Sequence, residues 1–198
     1  IINLKINNIL SIYEACVAAG YKVQIINENT KNYNHDIIIL PGIGSFKKAI
    51  KKLNKMKFQK KIKKFLKNQN NLLVGICLGM QLFFSKSEEF GESKGLNLIK
   101  GTVKKINRNN IVPHTGWNKI YNNGKKTFLD SAIKNKMFYF THSFYCRPND
   151  KSSIVGETKY KKFIFCSLIK KKNIIGMQFH PEKSSTVGIN LLKIIKNF

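Results

Sequence analysis

The chain has 198 residues, 42% of them hydrophobic, with 36 Lys and Arg against 10 Asp and Glu and a formal charge of +26. The length fits a single globular domain over residues 1–198, and the apolar share excludes a chain too polar to bury a core. No apolar run reaches the roughly 20 residues that a membrane-spanning helix requires.

In chain order, the first ten residues, IINLKINNIL, lack the basic start, long apolar middle and small-residue cleavage site of a secretory signal, so a cytoplasmic protein is expected. Residues 9–19 predict a helix ended by Gly20, and residues 22–27 a short strand. DIIIL at 36–40 predicts a buried strand, followed by a turn at Pro41-Gly42-Ile43-Gly44. Residues 47–67 hold eleven Lys and no acid. Ile50, Leu53, Phe58, Ile62, Phe65 and Leu66 fall roughly on one helical face there, which predicts a surface helix with a solvated lysine side. The competing reading is a nucleic-acid site. It requires aromatic residues placed to stack bases, whereas Phe58 and Phe65 read as core anchors. Abundant Asn and Ile beside the Lys fit AT-rich codons.

LLVGI at 72–76 predicts a second buried strand, continued by a helix over 78–84. Short strands and loops follow over 96–123, with later strands at 138–140, 163–169 and 174–178 and a last helix near 186–195. Alternating strands and helices indicate an α/β fold. Cys16, Cys77, Cys146 and Cys166 form no CxxC pair and no zinc-like cluster; reduced thiols are expected, three of them as buried filler.

Cys77 stands apart. Gly75-Ile76-Cys77-Leu78-Gly79 places a G-x-C-x-G pattern between an apolar strand and a helix, the cysteine counterpart of a nucleophile elbow. A sharp strand-to-helix bend needs neighbours without a Cβ, and the N-terminus of the following helix favours a thiolate. The backbone N–H of Leu78 would face a developing oxyanion. A plain buried cysteine between packing glycines also fits this segment taken alone. Gln178-Phe179-His180-Pro181-Glu182 follows the apolar strand near the C-terminus. His180 alone could be a satisfied structural histidine. Beside the elbow it reads as an acid–base group, with Glu182 fixing its tautomer. Pro41-Gly42-Ile43-Gly44-Ser45-Phe46 would lie at the carboxyl edge of the sheet, where open α/β sheets bind ligands. No GK[ST] follows it, so it is not a phosphate-binding loop.

PGIGSF, GICLGMQLFF, PHTGWN, YFTHSFY and GMQFHPEKS, in that order, resemble the class I (triad) glutamine amidotransferases, and most closely the glutaminase subunits of imidazole glycerol phosphate synthases. The resemblance implies an open, mostly parallel, flavodoxin-like sheet flanked by helices. It implies that Cys77 attacks the side-chain amide of glutamine, with His180 as acid–base and Glu182 as its orienter. The oxyanion donors would be the backbone N–H groups of Leu78 and, after a peptide flip, Ile43. Gly44, Gln81, His142, Ser143 and Phe144 match glutamine-pocket positions. A structural role suits His142 nearly as well, His114 reads as structural and His35 as a surface residue. The resemblance further implies no metal or organic cofactor, and a (βα)8-barrel synthase partner that receives ammonia through a channel. Tyr139 and Lys183 match interface positions.

The match departs at the start. The family's first strand ends in a D-Y-G-x-G-N loop that lies against the partner; here the residues are Asn3-Leu4-Lys5-Ile6-Asn7-Asn8, and only Asn8 agrees. A paralogous group feeds ammonia to sugar amidotransferases of bacterial surface polysaccharides, and the altered loop and the strand around Cys166 are compatible with that group too.

Overall fold

The computed structural model describes residues 1–6, 9–30, 34–106, 111–122, 124 and 127–197. The elements in chain order are α1 (Leu10–Ala18), β1 (Ile37–Gly42), α2 (Phe46–Lys55), α3 (Phe58–Phe65), β2 (Leu72–Cys77), α4 (Leu78–Leu82), β3 (Phe84–Ser87), β4 (Ser93–Lys94) and β5 (Ile99–Lys105). They continue with β6 (His114–Lys119), β7 (Tyr121–Asn122), α5 (Asp130–Ile133), β8 (Met137–His142), β9 (Phe144–Pro148), β10 (Ile154–Tyr160), β11 (Phe163–Lys171), β12 (Ile174–Met177) and α6 (Ser185–Lys196).

The centre of the main sheet is parallel. β2 lies between β1 and β12, with Gly42 opposite Cys77 and Met177 opposite Ile76. The N-terminal segment extends the parallel order past β1: Ile2 donates to Ile39 O at 2.9 Å and bridges to Ile26. Beyond β12 the sheet runs on through β11, β9, β5, β3 and β4. In that half the β3–β5 pair is parallel and the others are antiparallel. The sheet is therefore mixed, and its parallel order is concentrated in the half that carries the site. β6 and β8 form a separate antiparallel ladder.

Helices cover both faces of the central strands, which is why those strands read as unbroken apolar runs. Along β2, Leu72, Val74 and Ile76 enter one core with residues of α1, α5 and α6, while Leu73 enters the other with residues of α2, α3 and α4. Side-chain alternation along a strand sends consecutive residues to opposite layers.

The lysine-rich stretch forms two helices where one was predicted. Five residues separate Leu53 from Phe58, and on one continuous helix that spacing would turn Phe58 about 140° away from the buried face. Lys57 adopts a left-handed conformation, φ 56°, which resets the phase so that Phe58, Ile62 and Phe65 are buried with Phe46, Ala49 and Leu53. Residues 22–27 supply only the bridge at Ile26 in place of a strand. The helix after Cys77 stops at Leu82, because Phe84 already begins β3. Pro41 and Gly42 belong to β1, so the predicted turn starts at Ile43. Lys5 takes φ 54° where the family loop carries glycine, so a left-handed backbone is present there with a side chain attached. Among the described residues, no helix is long and apolar enough to cross a membrane.

Candidate active site

β2 ends at Cys77, whose φ of 52° and ψ of −108° lie outside the regions that L-residues ordinarily occupy. The bend closes only because its flanks are bare. A Cβ on Gly75 would lie 2.5 Å from the Phe83 ring, and one on Gly79 would lie 1.7 Å from Leu40 O. α4 is barely more than one turn long, so the N–H groups of that turn, rather than a long helix dipole, are the electrostatic resource at this point. Cys77 is 5% exposed and lines a cavity of about 930 Å³.

His180 lies three residues past β12, and its N–H donates to Tyr139 O at 2.9 Å. It opens a 3₁₀ turn, Pro181–Lys183, that folds Glu182 back onto the ring; His180 Nδ1 and Glu182 Oε1 are 2.7 Å apart. With Nδ1 donating to the carboxylate, Nε2 is the nitrogen left for chemistry, and it has no hydrogen-bond partner among the described residues. Burial opposes charge on this ring, but the neighbouring Cys77 and Glu182 together outweigh it and raise the pKa to about 10. The sulfur and the imidazole are thus electrostatically coupled, although more than a hundred residues separate them in sequence. Such an arrangement sets a cysteine beside a buried imidazole, the pairing that nucleophilic attack on an amide requires.

The predicted pocket residues come together. Ile43, Gly44, Leu78, Gln81, His142, Ser143 and Phe144 line the same cavity as Cys77. Gly44 has φ +98°, so the turn after β1 depends on glycine there. His180, Glu182 and Lys183 line a smaller cavity of about 100 Å³ that shares Ile43 and Lys183 with the large one. Tyr139 lines neither; it lies under Lys183, whose Nζ is 6.0 Å from its ring centre. Asn8 falls outside the described residues. His35 departs from its predicted place at the surface: both ring nitrogens are buried and unpartnered among the described residues.

One carbonyl organises the far wall. Phe144 O accepts from Gln81 Nε2 at 3.0 Å and from His142 Nδ1 at 2.8 Å. His142 Nε2 is then an acceptor, and His114 Nδ1 meets it at 3.0 Å. Both nitrogens of His142 are thereby engaged, so its place in the pocket wall is structural as well. Burial lowers His142 to about 3 and His114 to about 4, so both rings are neutral. An unfolded chain protonates these rings near pH 6.5, whereas the folded one resists until well below pH 5. Stability therefore rises with pH across that interval. His180 is already charged in both states there and adds little slope. Thermal melts are expected to show a midpoint about 5 °C or more lower at pH 4.5 than at pH 6.5; equal midpoints would contradict neutral, buried rings.

Several residues at the site have no individual role assigned from the sequence, although Gln178, Ser184 and Trp117 lie within GMQFHPEKS and PHTGWN. Gln178, fully buried, donates from Nε2 to Cys77 Sγ at 3.6 Å. Ser184, also buried, donates to His180 O at 2.6 Å and accepts from Tyr139 N at 3.0 Å. Trp117 is 49% exposed and packs edge-on to Tyr139. Glu89 and Lys105 add opposite charges to the cavity wall. Motif membership marks three of them, and their approach in space shows what each one touches.

The mixed sheet, the strained cysteine at a strand end and the histidine–glutamate pair define a cysteine-dependent amidase of α/β architecture. The sequence matches the family Glutamine amidotransferase class-I over residues 1–197, and the chain belongs to that family. It is 37% identical to the imidazole glycerol phosphate synthase subunit HisH of Wolinella succinogenes, covering 100% of this chain and 97% of that one. It is 38% identical to the HisH subunit of Caldanaerobacter subterraneus subsp. tengcongensis, covering 100% of this chain and 95% of the other. Among solved structures, a glutamine amidotransferase superposes with TM-score 0.75 at 13% identity over 98% of this chain and 97% of that one. A glutamine amidotransferase from Thermotoga maritima gives 0.63 at 13% identity, over 94% and 76%. At those identities the structural likeness speaks for the fold. The chain is a glutaminase of this class, acting through a cysteine nucleophile.

Proposed function

We propose that this chain is a single-domain, cytoplasmic glutaminase subunit of an imidazole glycerol phosphate synthase, with Cys77 as nucleophile, His180 as acid–base and Glu182 as orienter. The coupling of Cys77 and Glu182 to one buried imidazole carries the assignment. Cys77 Sγ attacks the Cδ carbon of glutamine, and charge collects on the amide oxygen, facing the backbone N–H groups of Leu78 and Ile43. His180 gives its Nε2 proton to the amide nitrogen, the C–N bond breaks, and ammonia leaves a γ-glutamyl thioester. His180, now neutral, takes a proton from water as that oxygen attacks the thioester. The C–S bond breaks, and glutamate and the imidazolium–thiolate pair are restored. Gly44, Gln81, His142, Ser143 and Phe144 form the glutamine pocket. Glu89 and Lys105 on its wall suit the two charges of a free amino acid.

The partner is a (βα)8-barrel synthase, docked over Tyr139, Lys183 and Asn8, that takes up the ammonia. Exposed Trp117 edge-on against Tyr139, and Lys183 above that ring, give that face an aromatic–cation surface beside the small cavity lined by His180 and Glu182. The test is co-purification with the barrel synthase of the histidine pathway, followed by glutamate release with that partner's ligand present. At least tenfold stimulation over the isolated chain is expected. Stimulation only by the barrel of a sugar-amidinating system would overturn the pathway and leave the glutaminase chemistry standing.

A further inference from the structure

Gln178 has no place in the triad, yet the parallel register delivers it to the sulfur. Met177 of β12 is opposite Ile76 of β2, so the next residue on each chain, Gln178 and Cys77, meet where the two strands end. Gln178 is 0% exposed, and the glutamine cavity is lined by other residues, so it is not placed to bind substrate. Its backbone is pinned as well: Gln178 N donates to Ser167 O on β11 at 2.9 Å.

Which end of the Gln178 amide faces the sulfur follows from a chain of bonds that begins at a group with only one possible role. Phe144 O can only accept, and it does so from Gln81 Nε2 and His142 Nδ1. Gln81 must therefore turn its NH₂ end toward Phe144. The same nitrogen lies 3.2 Å from Gln178 Oε1, so Gln178 must present its oxygen to Gln81. That leaves Gln178 Nε2, a donor, aimed at Cys77 Sγ. Turning the Gln178 amide over would set nitrogen against nitrogen at Gln81; turning both amides over would set oxygen against the Phe144 carbonyl.

We propose that Gln178 is a further catalytic residue: its side-chain N–H solvates the Cys77 thiolate, and the Phe144–Gln81–Gln178 chain fixes the polarity of that bond. The proposal rests on the reading of Cys77 as nucleophile. A thiolate 5% exposed has lost most of its hydration, and a hydrogen bond to a charged acceptor is worth more than a neutral one. The donor acts twice in a turnover. It raises the thiolate fraction before attack, and it stabilises the sulfur as leaving group when water opens the thioester. The titratable groups around the sulfur are His180 and Glu182 from the 3₁₀ turn, His142 from β8, Lys183 at the cavity rim and Cys146 from β9, whose burial holds it as a thiol.

The test uses the full chain with its barrel partner. Gln178→Met removes the donor at similar volume and leaves Gln81 Nε2 satisfied by Phe144. Gln178→Glu keeps the acceptor toward Gln81 and places an acceptor against the sulfur. The pH dependence of Cys77 alkylation by iodoacetamide, without glutamine, reads the thiol directly, and steady-state kinetics read turnover. The Met variant is expected to shift the alkylation midpoint up by about one pH unit and to lower kcat about tenfold, with KM for glutamine within twofold. The Glu variant is expected to shift it further in the same direction. A purely structural role would lower the melting temperature and leave the midpoint in place, and that result in either folded variant would overturn the proposal. Cys77→Ala, run alongside, separates the two readings: glutaminase activity surviving in it defeats the assignment of the nucleophile, whereas its loss with unshifted Gln178 variants defeats only the role of Gln178.

Discussion

Cys77→Ala is expected to lower glutamate release by about 10⁴-fold or more while shifting the melting temperature by only a few degrees. The two halves of that expectation come from different features of one position. The side chain contributes the only sulfur on the wall of the main cavity among the described residues, and it stands beside His180, whose pKa it and Glu182 raise. The backbone at φ 52° strains any residue with a Cβ, so alanine inherits the strain without adding to it. Removing one Sγ next to an open cavity leaves no sealed void. A loss of less than tenfold would refute Cys77 as the nucleophile. Cys77→Ser is expected to retain glutamine binding with poor turnover, because a hydroxyl near neutral pH is a far weaker nucleophile than a thiolate.

Glu182→Gln is expected to cut kcat by about 10³- to 10⁴-fold, the scale seen when the orienting carboxylate of a triad becomes an amide. Glu182 Oε1 lies 2.7 Å from His180 Nδ1 and fixes the tautomer that leaves Nε2 free for chemistry. An amide can offer an N–H to Nδ1 and so stabilise the opposite tautomer. It also removes a negative charge that helps outweigh the burial penalty on the ring, so the pKa of His180 falls. The signature is a kcat defect with KM nearly constant, because Glu182 lines the small cavity and not the large one. In addition, the alkaline limb of the kcat profile is expected to move toward lower pH. Turnover within threefold of the parent across pH 6–9 would exclude Glu182 as the orienter.

The sequence was most legible where a local pattern and a tertiary demand coincide. DIIIL and LLVGI are apolar on both faces, and both became central strands covered on both sides. The glycines around Cys77 signalled a bend, and the contacts that a Cβ would make at Gly75 and Gly79 show why the bend cannot tolerate a side chain there. Legibility failed where the outcome depends on what a segment meets. The spacing of apolar residues from Phe46 to Phe65 looked continuous, but the five-residue step from Leu53 to Phe58 demanded the break at Lys57. The strand predicted at 22–27 reduces to a single bridge, since Ile2 offers it only a short edge. Gln178 and Ser184 lie inside GMQFHPEKS, but what they touch emerges only when β2, β8 and β12 are laid side by side. The histidine–glutamate pairing was readable because a two-residue spacing across a proline turn is local. The hydrogen-bond chain that begins at Phe144 spans three separated stretches and leaves no periodic trace.

Ser184 adds a second tie between two segments that already meet at the Tyr139–His180 bridge. Its hydroxyl is fastened at once to the His180 carbonyl and to the amide of Tyr139, and His180 N is fastened in turn to the Tyr139 carbonyl. The exposed ring of Trp117 and the half-buried ring of Tyr139 are thereby tied, through these hydrogen bonds, to the loop that bears the imidazole. A partner seated on that outer face would bear directly on the orientation of the imidazole.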